Sequence, residues 1–229
     1  MMCFFVFSIL VLNRTTYESL VDSQSKHRHI LDITEDAGDE YIDKIYFVGD
    51  STTYHFKKVG IDERHILVPE SHTLKLTSDI LSITVEGYDM PIADALSCAN
   101  AEIAIITIGV NGADSFTEAK YKTYYGKLID EIKEQSPNTS IILQSVFPVT
   151  KDYSEKNMGI TNMGIDRLNV WLKELSFEKN VYYLDTQSIL KDGDGAQKQE
   201  YNEADGVHLN SNGYRAIIEY IRTHAIEWR

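Results

Sequence analysis

The chain has 229 residues, of which 43% are hydrophobic and 25% charged, a composition that excludes a disordered or collagen-like polypeptide and supports a sizeable core. Lys and Arg number 22 against 35 Asp and Glu, and the formal charge of -13 argues against a nucleic-acid partner, which clustered cations would hold. Cys3 and Cys98, with no repeated Cys or His spacing, exclude a multi-disulfide framework and a structural zinc site.

Met1 to Leu12 (MMCFFVFSILVL) is apolar except for Ser8, lacks a basic start and is too short to span a bilayer. Two readings stay open for it: a truncated signal or membrane tether, which would make the protein extracytoplasmic, and an element packed on the domain. Residues 13–40 are polar without a clear period and read as an irregular lead-in, which leaves residues 41–229 for a single domain.

From Lys44 onward short apolar runs alternate with longer amphipathic ones, the pattern of β-α-β units. The expected strands are Lys44–Val48, His65–Val68, Ile103–Ile108, Ser140–Val146 and Val181–Leu184, with shorter ones around Leu74–Leu76 and Ile83–Val85. Most are continuous runs of Val, Ile, Leu, Tyr and Phe, which suits a parallel sheet covered on both faces. The expected helices are Thr52–Val59, Pro91–Ala99, Phe116–Gln135, Ile165–Leu175 and Asn212–Ile226. In the third, Tyr121, Tyr125, Leu128, Ile129 and Ile132 form a helical stripe that stops before Ser136-Pro137. The fold class is therefore α/β, a three-layer, doubly wound domain on a five-stranded parallel sheet, whose ligands bind beyond the carboxyl ends of the strands.

Three such ends carry chemistry. Gly49-Asp50-Ser51-Thr52 places Ser51 at a strand-to-helix turn, a seat for a nucleophile; taken alone it reads more readily as a helix cap. The motif differs from a G-x-S-x-G elbow, since Thr53 stands in place of the second Gly. Ala204-Asp205-Gly206-Val207-His208 precedes the last helix, and a carboxylate three residues from a His can orient its imidazole toward a serine; the bland alternative is a local turn. Ile108-Gly109-Val110-Asn111-Gly112 ends the third strand, where an Asn amide can donate to an oxyanion or simply make a turn. In a doubly wound sheet these three loops share one rim, and that convergence favours one site.

Those residues also carry a resemblance to the SGNH/GDSL hydrolases. Gly49-Asp50-Ser51 matches the nucleophile block, Gly109-Val110-Asn111 the G-x-N block and Asp205-Gly206-Val207-His208 the D-x-x-H block, in order along residues 44–225. The resemblance implies a flavodoxin-like sheet of order 2-1-3-4-5, a catalytic Ser51 nucleophile, His208 as base, Asp205 as its orienter, Asn111 and the Ser51 backbone N–H in the oxyanion hole, and no metal or organic cofactor. Two positions depart from the family pattern. Gly112 stands where an Asp usually follows the Asn, so whatever that Asp braces is replaced or absent. No glycine follows the second strand in Val68-Pro69-Glu70-Ser71-His72-Thr73, which leaves the backbone N–H of Ser71 or His72 as the second-block oxyanion donor.

The expected activity is that of a serine esterase working through an acyl-enzyme, removing small acyl groups from a carbohydrate or glycan. The alternatives are acyl transfer to a sugar hydroxyl, a lysophospholipase-like esterase and a catalytically inactive binding domain. The run Asp192-Gly193-Asp194-Gly195 lacks the ligand spacing and closing Glu of a calcium loop and reads as a solvated turn. His27, His29, His55 and His224 read as solvated or packed side chains.

Overall fold

The computed structural model describes residues 29–71, 82–85 and 87–226. The apolar run Met1–Leu12, residues 13–28 of the lead-in, His27, the Leu74–Leu76 strand and His72 all fall outside them.

The central sheet is five-stranded and parallel throughout, in the order β2-β1-β5-β6-β7. Its strands are β1 (Ile45–Gly49), β2 (Ile66–Leu67), β5 (Ile103–Thr107), β6 (Ser140–Gln144) and β7 (Tyr182–Leu184). A separate antiparallel pair joins β3 (Ser82–Val85) to β4 (Tyr88–Pro91). Counted within the main sheet alone, the order is the 2-1-3-4-5 that the family resemblance implies. β5, at the centre, is buried along its whole length, which is why its sequence is a continuous apolar run instead of an alternating one.

Residues of the strands alternate between two cores. On one face Ala104, Ile106 and Leu143 pack against α3 (Ile92–Cys98), α4 (Glu118–Gln135) and α6 (Asn162–Glu178), chiefly through Leu96, Tyr121, Ile129, Leu168 and Leu172. On the other, Phe47, Ile105 and Ile142 pack against α1 (Gly38–Ile42) and α8 (Ser211–Arg222), through Tyr41, Tyr214, Ile217 and Ile221. Three layers follow from that alternation.

Several boundaries differ from the sequence expectation for identifiable reasons. The first helix splits into α2 (Ser51–Tyr54) and a 3-10 turn (His55–Val59) that stops at Gly60, whose φ of 91° is left-handed. The second strand shrinks to Ile66–Leu67 because His65 closes a 3-10 turn capped by Asp62, and Pro69 follows. Pro91 ends β4 instead of opening a helix. The helix expected at Ile165–Leu175 runs the longer span Asn162–Glu178, capped by the Thr161 side chain. Three short helices were not expected: α1, α5 (Lys151–Glu155) and α7 (Gln187–Leu190).

The lead-in is docked from His29 onward. His29 O accepts from Tyr183 N at 2.7 Å, and Leu31 N donates to Tyr183 O at 2.9 Å, so this segment continues the sheet beyond β7. Asp36 and Asp39 then pair with Arg222 at the end of α8. The Asp192–Gly195 segment is a closed turn in which Asp192 Oδ1 accepts from Asp194 N and Ala196 N. Among the described residues, no group of three or more acidic, His or Cys side chains is placed to hold a metal ion, and no helix is long and apolar enough to cross a membrane.

Candidate active site

β1 ends at Gly49, and Asp50 caps the helix that follows. Its extended backbone turns Oδ1 toward Thr52, whose N–H and Oγ1 donate to it at 3.0 and 2.7 Å. Ser51 is therefore the first residue of α2, where a backbone N–H has no acceptor within the helix. α8 locks onto this turn: the buried Tyr214 hydroxyl donates to Thr52 O at 2.7 Å and its ring stands edge-on to Phe56. Since His208 lies three residues ahead of α8, that lock brings the two ends of the chain together. Lys58 adds a tie, pairing with Glu203 at 2.7 Å.

His208 Nε2 is 2.9 Å from Ser51 Oγ, and His208 Nδ1 is 2.7 Å from Asp205 Oδ2. Asp205 Oδ1 accepts from the backbone N–H groups of Val207 and His208 at 2.8 and 2.9 Å, which fixes the carboxylate before the imidazole meets it. With Asp205 an acceptor, the network assigns the proton to Nδ1 and leaves the Nε2 lone pair toward Ser51. Burial pushes the Asp205 carboxyl up, but hydrogen bonds from the His208 ring and from the His208 and Val207 backbone outweigh it and hold the group below its ordinary range. Gly206 has φ 78°, and a Cβ there would stand 2.7 Å from Thr150 Oγ1, so glycine is required where this loop turns against α5.

Asn111 reaches the same place from the end of β5. Its Nδ2 lies 3.4 Å from Asp50 Oδ2, beside the turn that carries Ser51. Gly112 explains the first departure from the family pattern. Its φ of 99° makes it the pivot of a tight turn in which Ala113 N donates to Val110 O and Ser115 N to Gly112 O. The brace comes two positions later, from Asp114. Thr161 Oγ1 donates to Asp114 Oδ1 at 2.7 Å, and Asp114 N donates to Gly159 O, pinning the loop to the start of α6. A Cβ at Gly164 would occupy the place of Asp114 Oδ1. Sequence reasoning missed Asp114; the signal was a carboxylate three residues past Asn111 in a loop lacking the usual one.

At the second-block position, Glu70 N donates to Thr84 Oγ1 at 3.0 Å and is committed there. Ser71 sits exposed in the turn that follows.

His55 was also missed as a neighbour of the site. It lies four residues after Ser51, one helical turn on, and its ring stands edge-on to His208 with centroids 4.8 Å apart. Burial, helped by the nearby Lys58 and His208, depresses its pKa to about 4, so it is neutral at pH 7. Asp50, fully buried, is pushed up to about 6 by desolvation against the opposing Thr52 hydrogen bonds. These two shifts act oppositely on stability. The native state takes up the Asp50 proton before the unfolded chain does, so that group adds stability as pH falls from about 6 to about 4. The unfolded chain takes up the His55 proton first, so that group removes stability as pH falls from its ordinary 6.5 to about 4. His55→Gln is therefore expected to gain on the wild type progressively as pH is lowered through that window. Urea midpoints measured along it check this, and a difference that stays constant with pH would refute it.

The match to a family model agrees with this geometry: residues 47–216 fit the GDSL-like Lipase/Acylhydrolase family. A search of curated proteins returns no match. Among solved structures, one described as a platelet activating factor from Streptococcus pneumoniae aligns with 95% of this chain and 97% of its own, at 18% identity and a TM-score of 0.56. A GDSL-like lipase from Bacteroides thetaiotaomicron aligns at 13% identity over 79% and 87%, with a TM-score of 0.54. A lipase/acylhydrolase from Enterococcus faecalis aligns at 17% identity over 78% and 94%, with a TM-score of 0.52. At such identities the likeness speaks for the fold; the family model, spanning most of the chain, carries the assignment. The chain belongs to the GDSL-like lipase/acylhydrolase family.

Proposed function

We propose that the protein is a carboxylic ester hydrolase with Ser51 as nucleophile. His208 Nε2 takes the Ser51 proton as Oγ bonds to the acyl carbon, then returns it to the departing alcohol oxygen as the ester bond breaks. Asp205 keeps the imidazole in the competent tautomer and stabilises its charged form. The Asn111 amide and the Ser51 backbone N–H donate to the developing oxyanion, with the backbone N–H of Ser71 or His72 as a further donor. Water, deprotonated by His208, adds to the acyl carbon; Ser51 leaves with its proton restored and the acid is released. The observation that carries this reading is the unbroken chain Ser51 Oγ, His208, Asp205, at 2.9 and 2.7 Å.

For substrate, we assign a small acyl group esterified to a carbohydrate or glycan. The charge of -13 supports this over a lysophospholipid at an anionic membrane surface. Purified protein is expected to release acetate from p-nitrophenyl acetate and to be labelled at Ser51 by a fluorophosphonate probe. Folded protein that does neither would be a binding domain, and acylated acceptor formed in place of acid would make it a transferase.

Asp114 enters as a positioning residue for Asn111. Asp114→Ala is expected to lower kcat about tenfold or more with little change in KM, because the freed loop misplaces a donor used mainly in the transition state. Asp114→Asn keeps the Oδ1 acceptor for Thr161 and should restore most of the rate. Equal losses in both variants, or a loss confined to KM, would remove Asp114 from this role.

A further inference from the structure

The backbone around His208 is fixed on both sides. His208 N donates to Asp205 Oδ1 at 2.9 Å and Glu203 N donates to His208 O at 3.0 Å, while Lys58 Nζ, paired with Glu203 at 2.7 Å, also donates to Leu209 O at 3.4 Å. What this leaves free is the ring, which can turn about Cα–Cβ and Cβ–Cγ. The Nδ1 contact with Asp205 is a weak restraint by itself, because the Asp205 side chain is 52% exposed and water competes for the carboxylate.

His55 supplies the missing wall. The segment that seats Ser51 carries His55 one turn further on, where its ring stands at 81° to that of His208 with centroids 4.8 Å apart. The Tyr214 ring lies 6.4 Å from it, and Tyr214 is fully buried with its hydroxyl tied to Thr52 O, so this second neighbour cannot move aside. His55 Nδ1 is shielded from water and has no hydrogen-bond partner among the described residues, so that atom gives the side chain no polar reason to be here. Burial keeps the ring neutral at pH 7 despite Lys57, Lys58 and Glu203 nearby, and it therefore adds no charge against the imidazolium that His208 becomes.

We propose that His55 is a positioning residue for His208: its ring packs against the imidazole and keeps Nε2 aimed at Ser51 Oγ. Without that ring the imidazole gains other rotamers and water enters beside it, and a displacement of about 1 Å in a reacting group can cost about a hundredfold in rate. The consequence for catalysis rests on the esterase reading above; the restraint on the ring does not. His55→Gln keeps polarity and much of the bulk but no ring, and is expected to lower kcat on p-nitrophenyl acetate about tenfold with KM within about twofold. His55→Phe keeps a ring and should restore most of the rate; His55→Ala is a second ringless variant and should lose at least as much as His55→Gln. Nuclear magnetic resonance of the histidine-labelled protein reads the restraint directly. The proton between His208 Nδ1 and Asp205 should exchange with water about tenfold faster in His55→Gln than in the wild type, and near the wild-type rate in His55→Phe. An exchange rate unchanged in both folded ringless variants overturns the proposal, as does a kcat loss in His55→Phe equal to that in His55→Gln. A wild type without esterase activity sinks the esterase reading instead, and proton exchange still decides whether His55 holds the ring.

Discussion

Ser51→Ala is expected to lower kcat on p-nitrophenyl acetate about ten-thousandfold or more, and His208→Ala by a comparable factor. The double variant should be scarcely worse than either, because a nucleophile and the base that activates it act as one unit and their losses do not add. Asp205→Asn is the more informative change. Asp205 Oδ1 accepts two backbone N–H groups at 2.8 and 2.9 Å, so an asparagine would keep its oxygen there and turn its NH2 toward His208 Nδ1. The imidazole would then carry its proton on Nε2, facing Ser51, and could not accept another. The loss should approach that of His208→Ala with the fold intact. A Ser51→Ala protein within about tenfold of wild type would end the assignment of this serine as nucleophile.

Much of this architecture was legible because it is written in long apolar runs. β5 and β6 are central, buried on both faces, and their continuous Ile and Leu segments admit few other readings. The strand ends were legible too, since Gly49-Asp50-Ser51, Gly109-Val110-Asn111 and Asp205 through His208 each sit where an apolar run stops or a helix starts. What escaped were elements whose stability is tertiary. α1 and α5, five residues each, are too short to show a helical period and are held by contacts made elsewhere, such as Tyr41 in the core and the hydrogen bond that Thr150 N donates to Gly206 O. The docked lead-in at His29–Leu31 attaches through backbone hydrogen bonds to Tyr183, and backbone bonding leaves no trace in side-chain pattern. His55 and Asp114 escaped for a related reason. Each acts on a neighbour through a turn whose tightness, a 3-10 turn in one case and the left-handed Gly112 in the other, is invisible until the chain is folded.

Gly49→Ala should be the most damaging single methyl in the protein. Gly49 is the last residue of β1, paired with Thr107 of β5, and α2 folds back over it immediately. An added Cβ would fall well inside van der Waals contact of Thr107 O and Thr53 Oγ1, with Thr53 Cβ at 2.9 Å. Rotating Thr53 relieves one clash, but Thr107 O is backbone in the central strand and cannot move without breaking register. Overpacking of that kind against main chain is expected to cost about 4 kcal/mol, a large share of a domain's net stability. Gly193→Ala supplies the control, since a Cβ there meets nothing within 4 Å, and it should shift stability by less than about 0.5 kcal/mol. Urea melts of the two variants decide the matter, and a Gly49→Ala protein as stable as Gly193→Ala would show that this turn has room to spare. If the variant does fold, the strain must have been released by displacing α2 from β1. Ser51 would then move off His208 Nε2, and fluorophosphonate labelling should fall even where the melt is mild.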